Sequence, residues 1–191
     1  EVWPGERFEI LVDFSNSSNV KLVANSPHRG QRQEFDIIEF RPDNSIVSTG
    51  ELPTALNNIV SYNVNDVVKT RNFRLNMDGV DGGMMGINGV AMNMNVINEA
   101  VNLNELERWI ITSFDGKHPF HLHGASFLIL SMDGGAVPLY EQGWKDVVKV
   151  NDRAEILVRF NHTANEGTPY MYHCHILEHE DMGMMGQFTV Q

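Results

Sequence analysis

The sequence predicts an all-β protein, a sandwich or barrel of short antiparallel strands. Apolar and polar residues alternate in short runs along most of the chain, as expected for strands that bury one face. Glycine, asparagine, aspartate and proline separate these runs, which is typical of antiparallel domains. No long amphipathic helical pattern competes with them. The 191 residues suffice for one complete domain and part of another.

The individual elements follow from this alternation. The first strand is predicted at 7–14, where four apolar residues share one face. Seven further strands are predicted at 20–24, 35–40, 108–114, 126–132, 145–150, 154–160 and 187–190. One or two helical turns are expected within 99–106, and again after residue 174. The segment 76–94 is rich in Met, Asp, Asn and Gly, so we expect an irregular insert there rather than a core strand.

A domain boundary is predicted near 25–33, where Ser-Pro-His-Arg-Gly interrupts two strand patterns. The residues before it resemble the last strands of a preceding domain, while the remainder is long enough for a complete one. We therefore assign 1–30 to the end of a preceding domain and 31–191 to a C-terminal domain. Because the first residue is Glu1 rather than methionine, we interpret the chain as processed or cut.

Composition excludes several classes of partner. The 14 basic and 25 acidic residues give a net charge of −11, which disfavours nucleic acid and anionic membrane surfaces. A single cysteine, Cys174, rules out an internal disulfide framework. No stretch approaches the ~20 apolar residues that a membrane span requires. Cations are the more plausible partners of such an acidic chain.

Six histidines and the only cysteine crowd into two short segments, 118–123 and 173–179, and a methionine follows at 184. A lone histidine is more often structural, but imidazole and thiolate donors at this spacing are typical of a metal site. Successive side chains on a strand point to opposite faces, so Cys174 faces one way and its two histidine neighbours the other. His121 and His123 share a face, and His118 has the opposite parity. The simplest solution is two sites, back to back.

The two sites differ in chemistry. One contains His118, Cys174 and His179 with a methionine nearby, which is the trigonal blue-copper set; zinc is the alternative, because it also binds His and Cys. The other consists of imidazoles alone and suits copper that handles oxygen: His121, His123, His173 and His175. The peptide around the cysteine joins the two sites. This predicts one-electron oxidation at the first site coupled to reduction of an acceptor at the second.

These motifs resemble the third cupredoxin domain of multicopper oxidases. The patterns H-x-x-H-x-H and H-C-H-x3-H-x4-M are complete. Three further stretches look like the bacterial branch that contains cuprous oxidases and laccases: 143–146, 160–162 and 178–181. Residues 4–7 resemble the end of that family's second domain. The resemblance implies a Greek-key cupredoxin sandwich or barrel with short helical turns.

Carried over by position, the resemblance implies a type 1 copper site formed by four residues: His118, Cys174, His179 and Met184. Met185 is the rival axial ligand. It also implies one type 2 ligand and three type 3 ligands: His121 for type 2, and His123, His173 and His175 for type 3. The family's trinuclear cluster uses eight histidines. The other four are expected from the N-terminal part of the same enzyme, which would hold four copper ions in all and reduce O2 to water.

Other residues receive roles from the same resemblance. Glu180 matches a carboxylate that relays protons to the oxygen site, and its structural alternative is a solvated acid in a turn. A reducing substrate is expected near the type 1 site, either Cu(I) or a phenol or aromatic amine, at a candidate set of Met77, Asp78, Asp81 and Asp115. The alternatives are a blue-copper electron-transfer protein and a metal-free structural cupredoxin. We expect an extracytoplasmic location, periplasmic or secreted, with the cytoplasm left open.

Overall fold

The computed structural model describes residues 1–16, 18–28, 31–43, 50–51, 53–54, 57–80 and 84–191. It divides into two units. One unit comprises Glu1–Arg7 with Asn58–Gln191, and the other comprises Phe8–Asn57. No helix in the described ranges is long and apolar enough to cross a membrane.

The smaller unit contains one antiparallel hairpin of strands β1 (Val20–His28) and β2 (Gln31–Phe40). The domain boundary predicted at 30/31 falls between β1 and β2, where residues 29–30 lie outside the described part, and the domain assignment stays a prediction. The strand predicted at 7–14 is wrong, because these residues form an irregular segment. Its apolar face is covered only in part: Ile10 is 61% exposed, while Phe14 packs against Phe40 with ring centroids 5.6 Å apart.

The larger unit carries the remaining described strands and one short α-helix. In chain order these are β3 (Lys69–Val80), β4 (Met84–Ile87), β5 (Glu99–Val101), β6 (Leu106–Ser113), β7 (His118–Leu122), β8 (Phe127–Met132), β9 (Trp144–Lys145), β10 (Val147–Val150), β11 (Arg153–Arg159), β12 (Tyr170–Cys174), α1 (Leu177–Asp181) and β13 (Met185–Val190). They form a six-stranded sheet, β4-β3-β6-β11-β8-β9, and a five-stranded sheet, β10-β7-β12-β13-β5. This confirms the predicted all-β sandwich.

The core lies between the two sheets and is built mainly from aromatic residues. Trp109 of β6 packs against Phe73 of β3, with ring centroids 4.6 Å apart. From the other sheet, Tyr172 and Phe188 contact the same indole at 6.1 and 5.7 Å. Each such side chain buries roughly 150–250 Å², so these rings dominate the packing energy. The core therefore fixes β12, and with it the neighbouring strand β7, on the side that faces the other sheet.

Three details differ from the sequence-based expectation. Strand β3 was not predicted, and it runs with β4 into the segment expected to be an irregular insert. The helical turns expected at 99–106 are wrong, because β5 and the start of β6 occupy that stretch. Strands β3 and β6 are parallel, as are β5 and β13. Parallel neighbours arise where the chain crosses to the other sheet before returning, which local alternation does not reveal.

Candidate metal centre

Strands β7 and β12 are neighbours, and their register brings the two histidine motifs together. His173 lies directly opposite His121, and Cys174 lies opposite the buried Phe120. Residues paired in this way point to the same side of a sheet, and the next pair points to the other side. The structure therefore places histidines on one side of these strands and the cysteine on the other.

We call His118, Cys174 and His179 the sulfur set. Cys174 Sγ lies 3.5 Å from His118 Nδ1 and 3.4 Å from His179 Nδ1, and the two nitrogens are 3.1 Å apart. The point equidistant from these three atoms is about 1.9 Å from each, close to the ~2.0–2.3 Å of metal–nitrogen and metal–sulfur bonds. The triangle therefore has the size of a trigonal metal site.

Burial controls the electrostatics of the sulfur set. His118 and Cys174 are both fully buried. Burial raises the pKa of the Cys174 thiol to about 12 and lowers the pKa of His118 to about 4. The imidazole is therefore neutral and able to donate a lone pair, while the thiolate needs a cation to balance its charge. A soft thiolate with two imidazoles fits copper.

Met184 belongs on the same side as the sulfur set. Its N–H donates to the carbonyl of His179 at 2.9 Å, and its own carbonyl accepts from Cys174 N at 3.1 Å. The side chain is fully buried, in the same core cluster as Cys174. Met185 is paired with His173 across β12 and β13 and so shares the histidines' side. Of the two methionines, Met184 is the one on the side of the sulfur set, and its role as a ligand stays a prediction.

We call His121, His123, His173 and His175 the histidine set. One nitrogen from each of His121, His123 and His173 lies within 4.8 Å of the other two, and the Nε2 atoms of His123 and His173 are 3.3 Å apart. His175 lies at the edge, with its ring centroid 5.5 Å from those of His121 and His173. Its side chain is 40% exposed. Burial lowers the pKa of His123 to about 4.

Hydrogen bonds fix the tautomers in the histidine set. His121 Nδ1 donates to the carbonyl of Asp146 at 2.8 Å, and His173 Nδ1 donates to the carbonyl of Cys174 at 2.9 Å. Both partners can only accept, so each Nδ1 carries the proton and each Nε2 keeps its lone pair. This is the outer-shell arrangement that orients metal-binding histidines.

Two carboxylates stand beside the two sets. Glu180 Oε1, on α1, lies 2.9 Å from His173 Nδ1 and 3.9 Å from His175 Nδ1. Asp115 lies beside the sulfur set, with Oδ1 3.9 Å from His118 Nε2. Its other oxygen accepts from Met77 N at 2.7 Å. Glu180 thus contacts the histidine set, and Asp115 approaches the sulfur set.

The candidate substrate residues are placed only in part. Met77 is partly buried against the core, and its Sδ lies beside Gly116 and close to the sulfur set, where a Cβ on Gly116 would be 2.9 Å from Sδ and 3.4 Å from His118 Nε2. The side chain of Asp78 and all of Asp81 lie outside the described residues. Their predicted role stays a prediction.

Sequence reasoning did not find the groups that support the histidine set. The acceptor for His121 is a main-chain carbonyl, at Asp146, and a backbone atom leaves no side-chain signature. Gly5 lies against the ring of His175, so that a Cβ at this position would be 2.6 Å from Cδ2. The only signal was indirect, since 4–7 and 143–146 both belong to stretches with a family resemblance.

The sequence is similar to multicopper oxidases and to a cell division protein. A family model described as multicopper oxidase matches residues 53–191. The chain is 34% identical to the cell division protein FtsP of Dickeya dadantii, over 98% of this chain and 41% of that protein. It is 36% identical to the multicopper oxidase mco of Staphylococcus haemolyticus, over 98% of this chain and 38% of that protein.

A solved structure of a multicopper oxidase has the same fold as this chain. It is the laccase-like multicopper oxidase CueO from the lignin-degrading bacterium Ochrobactrum sp., with a TM-score of 0.82 and 33% identity. The match covers 94% of this chain and 43% of that protein. The chain thus spans about two fifths of the length of the relatives that it matches.

Proposed function

The chain belongs to the multicopper oxidase family, and we propose that it forms the C-terminal part of an oxidase that couples one-electron oxidation of a small substrate to reduction of O2 to water. One observation carries this proposal: the sulfur set and the histidine set lie on opposite sides of β12, and each set includes one of the last two residues of that strand. When bound, copper would supply the one-electron chemistry at the first set and the oxygen chemistry at the second.

We assign the ligands by chemistry and position. The sulfur set with Met184 would hold type 1 copper, because a buried thiolate, two imidazoles and a weak thioether favour that ion. In the histidine set, His121 would serve type 2 copper, and the other three would serve the type 3 pair. Four further histidines would come from the N-terminal part of the same enzyme, which would then hold four copper ions.

The chain provides a short electron route between the two sets. Cys174 is bonded through the peptide to a histidine on each side. In addition, its carbonyl accepts from His173 Nδ1 at 2.9 Å, which shortens the path by a hydrogen bond. An electron entering at the sulfur set therefore needs no solvent-exposed step to reach the histidine set.

Glu180 would deliver protons to the oxygen-reducing side. Its carboxylate contacts His173 and approaches His175, and the side chain keeps 22% of its surface in solvent. A carboxylate in this position can take a proton from water and pass it inward. It also holds the ring of His173, so positioning and proton transfer are served by the same side chain.

Substrate would give up its electron at the sulfur set, and two substrate classes fit the surroundings. Asp115 can accept the proton of a phenol or aromatic amine, and the neighbouring Phe114 is 76% exposed, as an apolar contact for an aromatic ring. Met77 favours Cu(I), since a thioether is a soft ligand.

A paired kinetic comparison tests the assignment of the substrate. kcat/KM is measured for Cu(I) and for a bulky phenol in the full-length, copper-loaded protein. Met77→Leu should lower the value for Cu(I) alone, and Asp115→Asn should lower the value for the phenol. Met94→Leu is the control, because Met94 is 81% exposed and belongs to neither set. Unchanged rates in both variants would remove these residues from the substrate site.

A second candidate function comes from similarity to the cell division protein FtsP. In that case the domain would act as a structural cupredoxin in cell division, without redox turnover. Copper loading separates the two functions, because a structural role needs neither a coloured copper site nor oxygen consumption.

The location that we propose is extracytoplasmic, either periplasmic or secreted.

A further inference from the structure

We propose that the segment Glu1–Arg7 is a clamp for the histidine set, and that Gly5 is a positioning residue for His175. This inference rests on the proposed function, because the set must bind copper for its positioning to matter. The segment belongs to the same unit as both sets. It approaches the histidine set at two places, His175 directly and His121 through Asp146.

A tight turn gives the clamp its shape. The N–H of Glu6 donates to the carbonyl of Trp3 at 3.0 Å, and the N–H of Trp3 donates to Glu6 Oε2 at 2.7 Å. Gly5 has φ of +80°, and Pro4 precedes it. Proline followed by a residue with positive φ is the signature of a type II turn. The turn is thus closed by two hydrogen bonds and holds Gly5 in a fixed position.

Gly5 lies against the imidazole of His175. A Cβ on Gly5 would stand 2.6 Å from Cδ2 and 2.9 Å from Cγ of that ring, which is closer than atoms can pack. On another side, Glu180 lies 3.9 Å from His175 Nδ1. The side chain of His175 is 40% exposed, against 8% for that of His173. The absence of a side chain at residue 5 therefore lets the turn support a ring that the core leaves open.

Arg7 ties the turn to the other edge of the set. Its Nη1 donates to the carbonyl of Gly5 at 3.0 Å and forms an ion pair with Asp146. The carbonyl of Asp146 in turn accepts from His121 Nδ1 at 2.8 Å. Lys149 adds an anchor by donating to the carbonyl of Glu1 at 3.3 Å. The described contacts of this segment reach the histidine set and not the sulfur set.

This selectivity makes the proposal testable. A side chain at residue 5 should displace His175 and weaken copper binding in the histidine set, while the sulfur set keeps its copper and its colour. A general loss of folding would weaken both sets together. The partition of copper between the two sets therefore distinguishes positioning from mere stability.

The experiment compares Gly5→Ala with Gly134→Ala in the full-length protein loaded with copper. Gly134 has φ of +74° and no atom within 4 Å of a Cβ, so it carries the same backbone strain without the steric contact. Copper per chain, the red thiolate-to-copper band and the electron paramagnetic resonance spectrum are measured for each. Gly5→Ala should lower the copper affinity of the histidine set by roughly 10–100-fold, as loss of outer-shell support does. Its red band should match that of Gly134→Ala.

Other outcomes overturn the proposal. Full copper content with an unchanged resonance spectrum in Gly5→Ala would show that the turn does not position His175. If Gly5→Ala does not fold, Arg7→Ala gives a milder test, because it removes two links without adding bulk. It should speed removal of copper from the histidine set by a chelator, and an unchanged rate would contradict the clamp. If the wild-type protein itself binds no copper, the proposed function fails instead.

Discussion

The sulfur set and the histidine set occupy opposite sides of the same strand, yet they differ in how complete they are. The chain itself supplies every proposed donor of the sulfur set, and His118, Cys174 and Met184 are fully buried. In the proposed function the histidine set supplies four of the eight histidines of an oxygen-reducing cluster, and the side chain of His175 at its edge is 40% exposed. The core of the domain encloses most of the sulfur set, whereas the histidine set is partly exposed at the surface of the domain.

The difference indicates how a single strand would serve the two kinds of chemistry proposed. A buried site fixes its ligands through packing, so its properties depend on this domain alone. A more open site needs support from groups outside the core, here from the carbonyl of Asp146, from Glu180 and from the turn at Gly5. Changes to the two sets should therefore separate colour and electron entry from oxygen reduction.

The largest effect is expected from Cys174→Ser in the full-length, copper-loaded protein. Loss of the thiolate should abolish the red band and slow oxygen consumption by roughly three orders of magnitude, about 4 kcal/mol of barrier. The histidine set should keep its copper, because none of its donors changes. Absorption, oxygen uptake and copper content are measured together. Normal oxygen uptake in this variant would mean that electrons take another route.

Acid should destabilise the metal-free protein through His118. Burial lowers the pKa of His118 in the folded protein to about 4. Between pH ~6.5 and about 4 the unfolded chain therefore binds a proton at this residue and the folded chain does not. The free energy of unfolding should therefore fall by up to roughly 3 kcal/mol as the pH drops from 7 to 4.

Urea unfolding of metal-free protein at several pH values checks this. His118→Asn should reduce the dependence of stability on pH by the share that His118 contributes, and the remainder belongs to groups such as His123, whose pKa burial also lowers to about 4. His162→Asn is the matched control, because His162 is exposed and belongs to neither set. An equal slope in wild type and His118→Asn would show that His118 does not carry the effect.

Glu180→Gln should affect the histidine set and leave the sulfur set unchanged. The neutral amide supports His173 less strongly and cannot pass on a proton, so oxygen consumption should fall roughly 10–100-fold while the red band persists. Asp181→Asn is the control, since Asp181 is the next residue, also acidic and exposed. A fall of the same size in both variants would point to general charge rather than to the contact with His173.

The smallest effect is expected from Met184→Leu, a substitution that nearly conserves volume. It should cost less than about 1.5 kcal/mol of stability. The red band should remain, while the reduction potential of the sulfur set rises because a weak axial donor is lost. Met185→Leu should leave the potential unchanged. The reverse result would make Met185 the axial ligand.

The fold class and the two-sided arrangement could be predicted from the sequence because both depend on local periodicity. A strand alternates its side chains, so Cys174 and its neighbours have opposite directions wherever the strand lies. The segment 7–14 shows the limit of this reasoning, because it alternates in the same way and forms no strand. Alternation by itself therefore does not establish a strand, because the pairing partner is not encoded in the local pattern.

Features that depend on distant neighbours could not be predicted. Strand β3 has Phe73 and Leu75 buried, but its pairing with β6 joins residues that are far apart in the chain. The support of the histidine set has the same character. A main-chain carbonyl at Asp146 and an absent side chain at Gly5 act through shape, and neither carries a chemical signature in the sequence.

In the proposed function, Cys174 joins a site that takes electrons from substrate to a site that passes them to oxygen. The most direct test is the colour of the full-length, copper-loaded protein during one cycle of reduction and oxidation. Substrate added without air should bleach the intense red thiolate-to-copper band, and admission of air should restore it. A loaded protein that is colourless, or whose bleached band does not return in air, would contradict the account.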